Sequence, residues 1–272
     1  MTLSVGVWDA LSAKLAERAG FELLFVSGFA VAGTQLGEPD FGLLTQTEML
    51  ESARRIVRAV RVPVIVDGDT GHGGPLNVQR AVREGVALGA AGMLLEDQVW
   101  PKRCGHMRGK EVIPAEEHVQ KIRAAVEARG AATFTILGRT DARAPFGLDE
   151  AIRRGRMYRE AGADLIFVEA PLSRDELARI GREVPGPLMA NMVEGGKTPI
   201  LGVAELAELG FEYVVYPLTG LLSAARALER AFAELVKSGV APDETRTKMG
   251  FDEFTALVGL EARYAAAERF KA

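Results

Sequence analysis

The chain has 272 residues, 48% of them apolar and 7% aromatic, with 30 glycines and 12 prolines; it can bury the core of one large domain or two small ones, which excludes a disordered chain. Its 33 basic and 37 acidic residues leave a net charge of −4 and interleave along stretches such as KLAERAG and RIGREV, so no basic face for nucleic acid is expected. Apolar runs such as residues 22–28 and 165–170 are too short to span a membrane, the N-terminus lacks a basic segment before a long apolar core, and the single cysteine, Cys104, excludes an internal disulfide; a reducing cytoplasm is the expected compartment.

The first apolar run centres on Val7. Residues 9–19 (DALSAKLAERA) then read as a helix with Asp9 as its N-cap, and a second strand is expected near Phe25. Residues 47–60 (TEMLESARRIVRAV) keep apolar side chains at helical spacing. Further strands are expected near Val66, Leu94, Ile136, Phe167, Ala190 and Val215. Four passages repeat one unit: AERAGFELLFVSG, VALGAAGMLLEDQ, YREAGADLIFVEA and AELGFEYVVYPL. In each, a helix ends at a Gly suited to the left-handed conformation, and a short continuous apolar run follows and ends in a polar residue. Such runs are strands buried on both faces, as in parallel sheets covered by helices. Eight βα units in about 250 residues suit a (β/α)8 TIM barrel. An open doubly wound sheet is the alternative, but it favours a GxGxxG turn after the first strand, and none is present.

No Gly/Ser linker divides the chain, which reads as a barrel over residues 1–240 with a helical extension of the same domain over 241–272. After a helix near 221–237, KSGVAPDET reads as a turn and DEFTALVGLEARYAAAERF as one more amphipathic helix, packed outside the barrel or on a neighbouring subunit.

A barrel carries its active site at the carboxyl ends of its strands. Here those ends bear Trp8 and Asp9, Ser27 and Gly28, Asp67 and Asp69, Glu96 and Asp97, Arg139 and Asp141, Glu169, Asn191, and Tyr216. Each alone has an ordinary structural use, as a cap, an ion pair or a rim residue. Together, their carboxylates repel one another unless a cation compensates. In VPVIVDGDTGHGG, Asp67 and Asp69 face the same way if the extended geometry continues, and Glu96 can add a third oxygen. All-oxygen ligation suits Mg²⁺ or Mn²⁺ better than Zn²⁺, although His72, His106 and Cys104 form an alternative zinc set. The second signal is PKRCGHMRGK (101–110), where cations around Cys104 lower a thiol pKa and attract anions, and Gly105 and Gly109 let a loop fold over the site.

GVWDALSAKLAERAGF, SGFAVA, PDFGLLT, VDGDTGHGG, LLEDQVWPKRCGHMRGK, GRTDA, FVEAP, NMVEGGKTP and YPLTGL, in this order, resemble the isocitrate lyase and phosphoenolpyruvate mutase superfamily over nearly the whole chain. KRCGH resembles the lyase signature, since the phosphonate mutases carry an Asn-containing loop there. The nearest branch contains 2,3-dimethylmalate lyase and petal death protein. Val193 stands where isocitrate and methylisocitrate lyases tend to have Thr, and the first strand lies almost at residue 1, without the leading helix many relatives carry. The resemblance implies a β/α barrel, Mg²⁺, and a homotetramer in which the C-terminal helix is exchanged between subunits. It implies that Ser27, Gly28 and Phe29 hold the substrate carboxylate through backbone donors. Asp67, Asp69 and Glu96 would hold the metal directly or through water, with Asp40 in the outer shell. Arg139, Glu169 and Asn191 would line the pocket, and Lys102, Cys104 and His106 would sit on the mobile loop.

The expected activity is cleavage of a small 2-hydroxy diacid of the alkylmalate type into a 2-keto acid and a carboxylate, with Cys104 protonating the departing carbon. The alternatives are hydrolysis of oxaloacetate to oxalate and acetate, a phosphonomutase-type reaction, or a non-catalytic anion-binding barrel.

Overall fold

The computed structural model describes residues 1–240 and 248–271. Eight parallel strands, β1 (Thr2–Val7), β2 (Leu23–Val26), β3 (Val64–Asp67), β4 (Gly92–Glu96), β5 (Thr135–Thr140), β6 (Leu165–Val168), β7 (Leu188–Asn191) and β8 (Tyr213–Tyr216), form a barrel closed in sequence order. Closure is made by β1 against β8, with Thr2 opposite Tyr213. Between the strands run α1 (Ala10–Arg18), α2 (Gly28–Val31), α3 (Gln46–Val57), α4 (Pro75–Leu88), α5 (Ala115–Arg129), α6 (Arg143–Phe146), α7 (Leu148–Glu160), α8 (Arg174–Glu183) and α9 (Val203–Glu208). A π-helical turn, Ala32–Leu36, extends α2. The TIM barrel is therefore the observed fold.

The local signals act as expected. Asp9 caps α1, accepting from the Ser12 amide at 2.7 Å. The glycines of the repeated unit, Gly20, Gly89, Gly162 and Gly210, all take φ between 88 and 104°, a conformation a Cβ resists. Each lets the chain leave its helix and turn into the next strand.

Strand alternation sorts the side chains into two cores. Leu23, Phe25, Ile65, Leu94, Leu137, Leu165, Phe167, Met189 and Val215 fill the barrel interior. Their neighbours, among them Leu24, Val26, Val66, Leu95, Ile136, Ile166 and Val214, pack with the helices. Gly6 in β1 makes room for the β8 loop, because a Cβ there would lie 2.0 Å from the Pro217 carbonyl oxygen.

The chain divides into two compact units, Met1–Leu221 and Leu222–Ala272, so the 240/241 boundary falls within the second. Helix α10 (Thr219–Ser238) crosses the division, and α11 (Phe251–Leu257) and α12 (Leu260–Glu268) follow. The single helix expected over DEFTALVGLEARYAAAERF is thus two, broken where Gly259 adopts φ 84°. Of the expected turn KSGVAPDET, residues 241–245 lie outside the described residues. Among the described residues no helix is long and apolar enough to cross a membrane.

Candidate active site

Two residues beyond the last inner-core side chain of each strand from β2 to β8, the same alternation delivers a side chain to the carboxyl mouth. Phe25 leads to Ser27, Ile65 to Asp67, Leu94 to Glu96, Leu137 to Arg139, Phe167 to Glu169, Met189 to Asn191 and Val215 to Pro217. A cavity of about 50 Å³ lies there, lined by Ser27, Phe29, Asp40, Asp67, Cys104, Gly105, His106, Arg139, Glu169, Asn191, Val193, Pro217 and Leu218, among others. A larger cavity, about 510 Å³, opens at the opposite rim between residues such as Thr2, Glu22, Pro63, Asp164 and Tyr213. Of the ionisable residues lining it, Glu22, Asp164 and Tyr213, Asp164 is engaged by Arg129; the smaller cavity gathers Asp40, Asp67, Cys104, His106, Arg139 and Glu169 and is the candidate for the chemistry.

One wall of the small cavity is acidic. The extended geometry expected through Asp67 and Asp69 does not continue: Asp69 has φ 49°, and its amide donates to Asp67 Oδ1 at 3.0 Å. Both remain buried. Lys102 Nζ sits between Asp40 Oδ1 at 2.6 Å and Asp69 Oδ1 at 2.7 Å. Burial pushes the Asp69 carboxyl up to about 7, against the pull of Lys102 and with the repulsion of Asp67 and Asp40. Burial also holds Glu96 well above the usual carboxylate range, although Arg139 opposes it. Glu96 Oε2 lies 3.3 Å from Arg139 Nη1, while its Oε1 is buried without a hydrogen-bond donor. Carboxylates so stressed fit a hard cation. Among the described residues no group of three or more His, Cys, Asp or Glu side chains is placed to hold a metal ion, and Lys102 lies between two of the carboxylates. What fits such an ion is the pair of buried oxygens, Asp69 Oδ1 and Glu96 Oε1, that lack a well-aligned hydrogen-bond donor; a cation held by so few side chains is one that keeps several of its waters, as Mg²⁺ does.

The opposite wall is organised by Glu169. His106 Nε2 approaches its Oε1 at 2.9 Å, Asn191 Nδ2 donates to Oε2 at 3.3 Å, and Arg139 Nε lies 3.7 Å away. Burial opposes its charge, but Arg139 and His106 outweigh that cost and hold the carboxyl below its usual range. Glu169 is thus an ionised anchor. His106 Nδ1 accepts the Lys197 amide at 2.9 Å, which leaves the ring proton on Nε2, facing Glu169. Histidine thereby ties the Cys104 loop to the loop after β7. His72, by contrast, packs against Trp100 with ring centroids 5.3 Å apart, so His72 and His106 serve different partners.

The loop is folded down over the barrel. The Cys104 amide donates to the Asp40 carbonyl at 3.1 Å, and Lys110 Nζ reaches Asp141 Oδ1 at 2.7 Å. The expectation that nearby cations lower the thiol pKa is overturned: burial pushes Cys104 up to about 11, with Asp40 and Glu169 adding to it. At neutral pH the group is a thiol, suited to giving a proton.

Two other expectations need revision. The Ser27 amide is bonded to the Val7 carbonyl at 3.1 Å and the Gly28 amide to Asp67 Oδ2 at 3.3 Å, so two of the three expected backbone donors are engaged within the protein, while Ser27 and Phe29 both line the cavity. Asp97 does not converge on the mouth with Glu96; alternation turns it outward, into the helix layer. Two features of the site are not expected from the sequence: the Lys110–Asp141 pair, and Pro217 and Leu218 beside Val193 in an apolar rim. Alternation from Val215 marks Pro217, but only the fold brings Lys110 to Asp141.

Comparison with known proteins agrees with this geometry. The family model described as phosphoenolpyruvate phosphomutase matches residues 1–236. Petal death protein of Dianthus caryophyllus is 52% identical over 99% of this chain and 85% of its own length. The 2,3-dimethylmalate lyase of Eubacterium barkeri is 46% identical over 96% and 90%. A solved oxaloacetate acetylhydrolase with 3,3-difluorooxalacetate superposes with a TM-score of 0.94 at 32% identity, covering 98% of this chain and 91% of that one. A phosphonopyruvate hydrolase solved with oxalate and Mg²⁺ gives 0.89 at 32%, covering 99% and 94%.

Proposed function

The chain belongs to the phosphoenolpyruvate phosphomutase family, and we propose that within it the protein is a carbon–carbon lyase cleaving a 2-hydroxy diacid of the alkylmalate type into a 2-keto acid and a carboxylate. The observation that carries this reading is a protonated thiol, Cys104, lining one small cavity together with Arg139, Asn191 and an acidic wall. Named relatives include a 2,3-dimethylmalate lyase.

Asp67, Asp69 and Glu96, with Asp40 behind them, would hold Mg²⁺ (or Mn²⁺), directly or through water. When bound, the ion supplies Lewis-acid stabilisation of the oxygen charge that develops as the carbon–carbon bond breaks. The chain's own groups do the rest. Arg139, held as a cation by Asp141, Glu96 and Glu169 against the cost of burial, binds the carboxylate of the departing fragment as negative charge spreads onto it. Asn191 is fixed beside it by Glu169. The thiol of Cys104 then gives its proton to the departing carbon, the hydroxyl proton of the substrate is released to solvent, and solvent reprotonates the thiolate, so no net proton is gained or lost. The loop, latched by His106, keeps water from that carbon.

The apolar rim favours the alkyl substituents. The side chains of Val193, Pro217 and Leu218 offer no donor to a further carboxylate, which disfavours isocitrate and 2-methylisocitrate. Hydrolysis of oxaloacetate is the second reading, since an oxaloacetate acetylhydrolase and a 2,3-dimethylmalate lyase superpose on this chain with the same TM-score of 0.94. A panel of malate derivatives and oxaloacetate, assayed with Mg²⁺, separates them: a keto acid from an alkylmalate supports the lyase, and oxalate from oxaloacetate the hydrolase.

We further propose a homotetramer with exchanged C-terminal helices. Support comes from the apolar residues that the second unit leaves exposed, including Phe232, Val236, Phe251 and Phe270.

A further inference from the structure

Behind the barrel wall lies a group of buried ionisable side chains that the reaction above does not use. Asp97 is fully buried and does not line the cavity. Its Oδ1 accepts the Asp141 amide at 2.8 Å. Its Oδ2 accepts from the Thr140 hydroxyl at 2.7 Å, the Tyr158 hydroxyl at 2.6 Å and Arg154 Nη1 at 2.9 Å. With four donors, three of them on Oδ2, this carboxyl is committed to holding its neighbours in place.

The donors show what it controls. Thr140 and Asp141 are the two residues that follow Arg139 at the end of β5. Asp141 grips the Arg139 guanidinium at two points, Nε to Oδ2 at 2.9 Å and Nη2 to Oδ1 at 3.1 Å. The same Oδ1 accepts from Lys110 at the far end of the Cys104 loop. The loop's exit is bound to this centre as well: the Ile113 amide donates to the Asp97 carbonyl at 2.9 Å, and Arg154 Nη1 donates to the Ile113 carbonyl at 2.8 Å. A buried ion pair adds little net stability over apolar packing of the same volume, whereas a saturated network fixes directions.

We propose that Asp97, acting through Thr140 and Asp141, is a positioning residue that sets the guanidinium of Arg139 in the cavity and the root of the loop above it. The inference rests on the reading of Arg139 as the group that binds the substrate carboxylate.

The test is a double-mutant cycle read by calorimetry with oxalate as the probe, in the presence of Mg²⁺. Asp97→Asn keeps an acceptor for the Asp141 amide but turns an NH₂ toward the guanidinium of Arg154. It is expected to weaken oxalate binding by about tenfold, the low end for residues that orient a binding group. In an Arg139→Lys background, where the two-point grip is already lost, the same change should alter the oxalate Kd by less than about twofold, since coupled residues are not additive. Thr140→Val should repeat this pattern, and it carries the test if Asp97→Asn does not fold. Tyr158→Phe removes one donor without touching the strand end, so it should lower the melting temperature and leave the oxalate Kd unchanged. Equal weakening in both Arg139 backgrounds, or an oxalate Kd indifferent to Arg139→Lys, would overturn the proposal. Oxalate binding is read without turnover, so an inactive alkylmalate assay would sink the substrate reading alone.

Discussion

In the proposed reaction Cys104 is the residue on which the chemistry turns, and its environment decides its part. A thiol whose pKa stands near 11 does not act as a thiolate nucleophile at neutral pH, but it can protonate a carbanion. Cys104→Ser should therefore reduce turnover by roughly 10²- to 10⁴-fold, the usual worth of a general acid, while calorimetry finds Mg²⁺-dependent oxalate binding unchanged. A variant with full turnover would remove the thiol from the reaction. His118 yields a stability prediction. Buried edge-on to Tyr158 with ring centroids 4.6 Å apart, it is pushed down to about 3 by burial and by the positive charge of Lys121. The unfolded chain takes up a proton near 6.5 that the folded chain refuses, so stability is complete above that value and drains away as the pH falls toward 3. Denaturant melts of wild type and His118→Leu across this range should show a flatter acid limb in the variant; identical limbs would contradict the assignment. At this scale the sequence was legible wherever alternation from an apolar run points inward, as from Leu94 to Glu96 or from Phe167 to Glu169. It was not legible for Asp97, because its donors Thr140, Arg154 and Tyr158 stand 43 to 61 positions further along the chain.

Among the elements, the loop from β4 to α5 matters most, and one glycine in it and one in the loop after β7 decide how low it can lie. A Cβ on Gly105 would fall 2.3 Å from the Glu169 carboxyl carbon, and one on Gly196 would fall 2.5 Å from His106 Nδ1. Gly105→Ala should leave the melting temperature nearly unchanged, because the loop can lift, and lower kcat/KM by about 10²-fold, the scale of a misplaced catalytic group. A crystal structure showing the alanine loop closed, with activity retained, would contradict that account. Gly6→Ala in β1 should behave oppositely. It forces the Pro217 backbone away and should cost roughly 1–3 kcal/mol of stability, measured by denaturation. The strands and the helix-ending glycines were readable from the sequence, since the repeated unit states both. The break at Gly259 was not, because a single glycine within an amphipathic pattern does not itself decide between a tolerated residue and a helix end.

For the whole molecule, barrel closure is what turns scattered polar positions into one site. Asp67, Glu96, Arg139 and Asn191 come from four different strands and Glu169 directly follows a fifth, and only the cylinder brings them to a common mouth. The apolar side chains of the second unit carry the assembly prediction. Sedimentation velocity should find a tetramer, and a double variant, Phe232→Asp with Phe251→Asp, should sediment as a smaller species. An unchanged tetramer would place the interface elsewhere. The central claim, metal-dependent cleavage finished by a thiol proton, is reached most directly by NMR of 2,3-dimethylmalate incubated with the enzyme in D₂O. We expect equal amounts of pyruvate and propionate carrying one deuterium at C2, formed with Mg²⁺, absent with a chelator, and much slower in Cys104→Ser. Unchanged dimethylmalate alongside oxaloacetate converted to oxalate and acetate would contradict it.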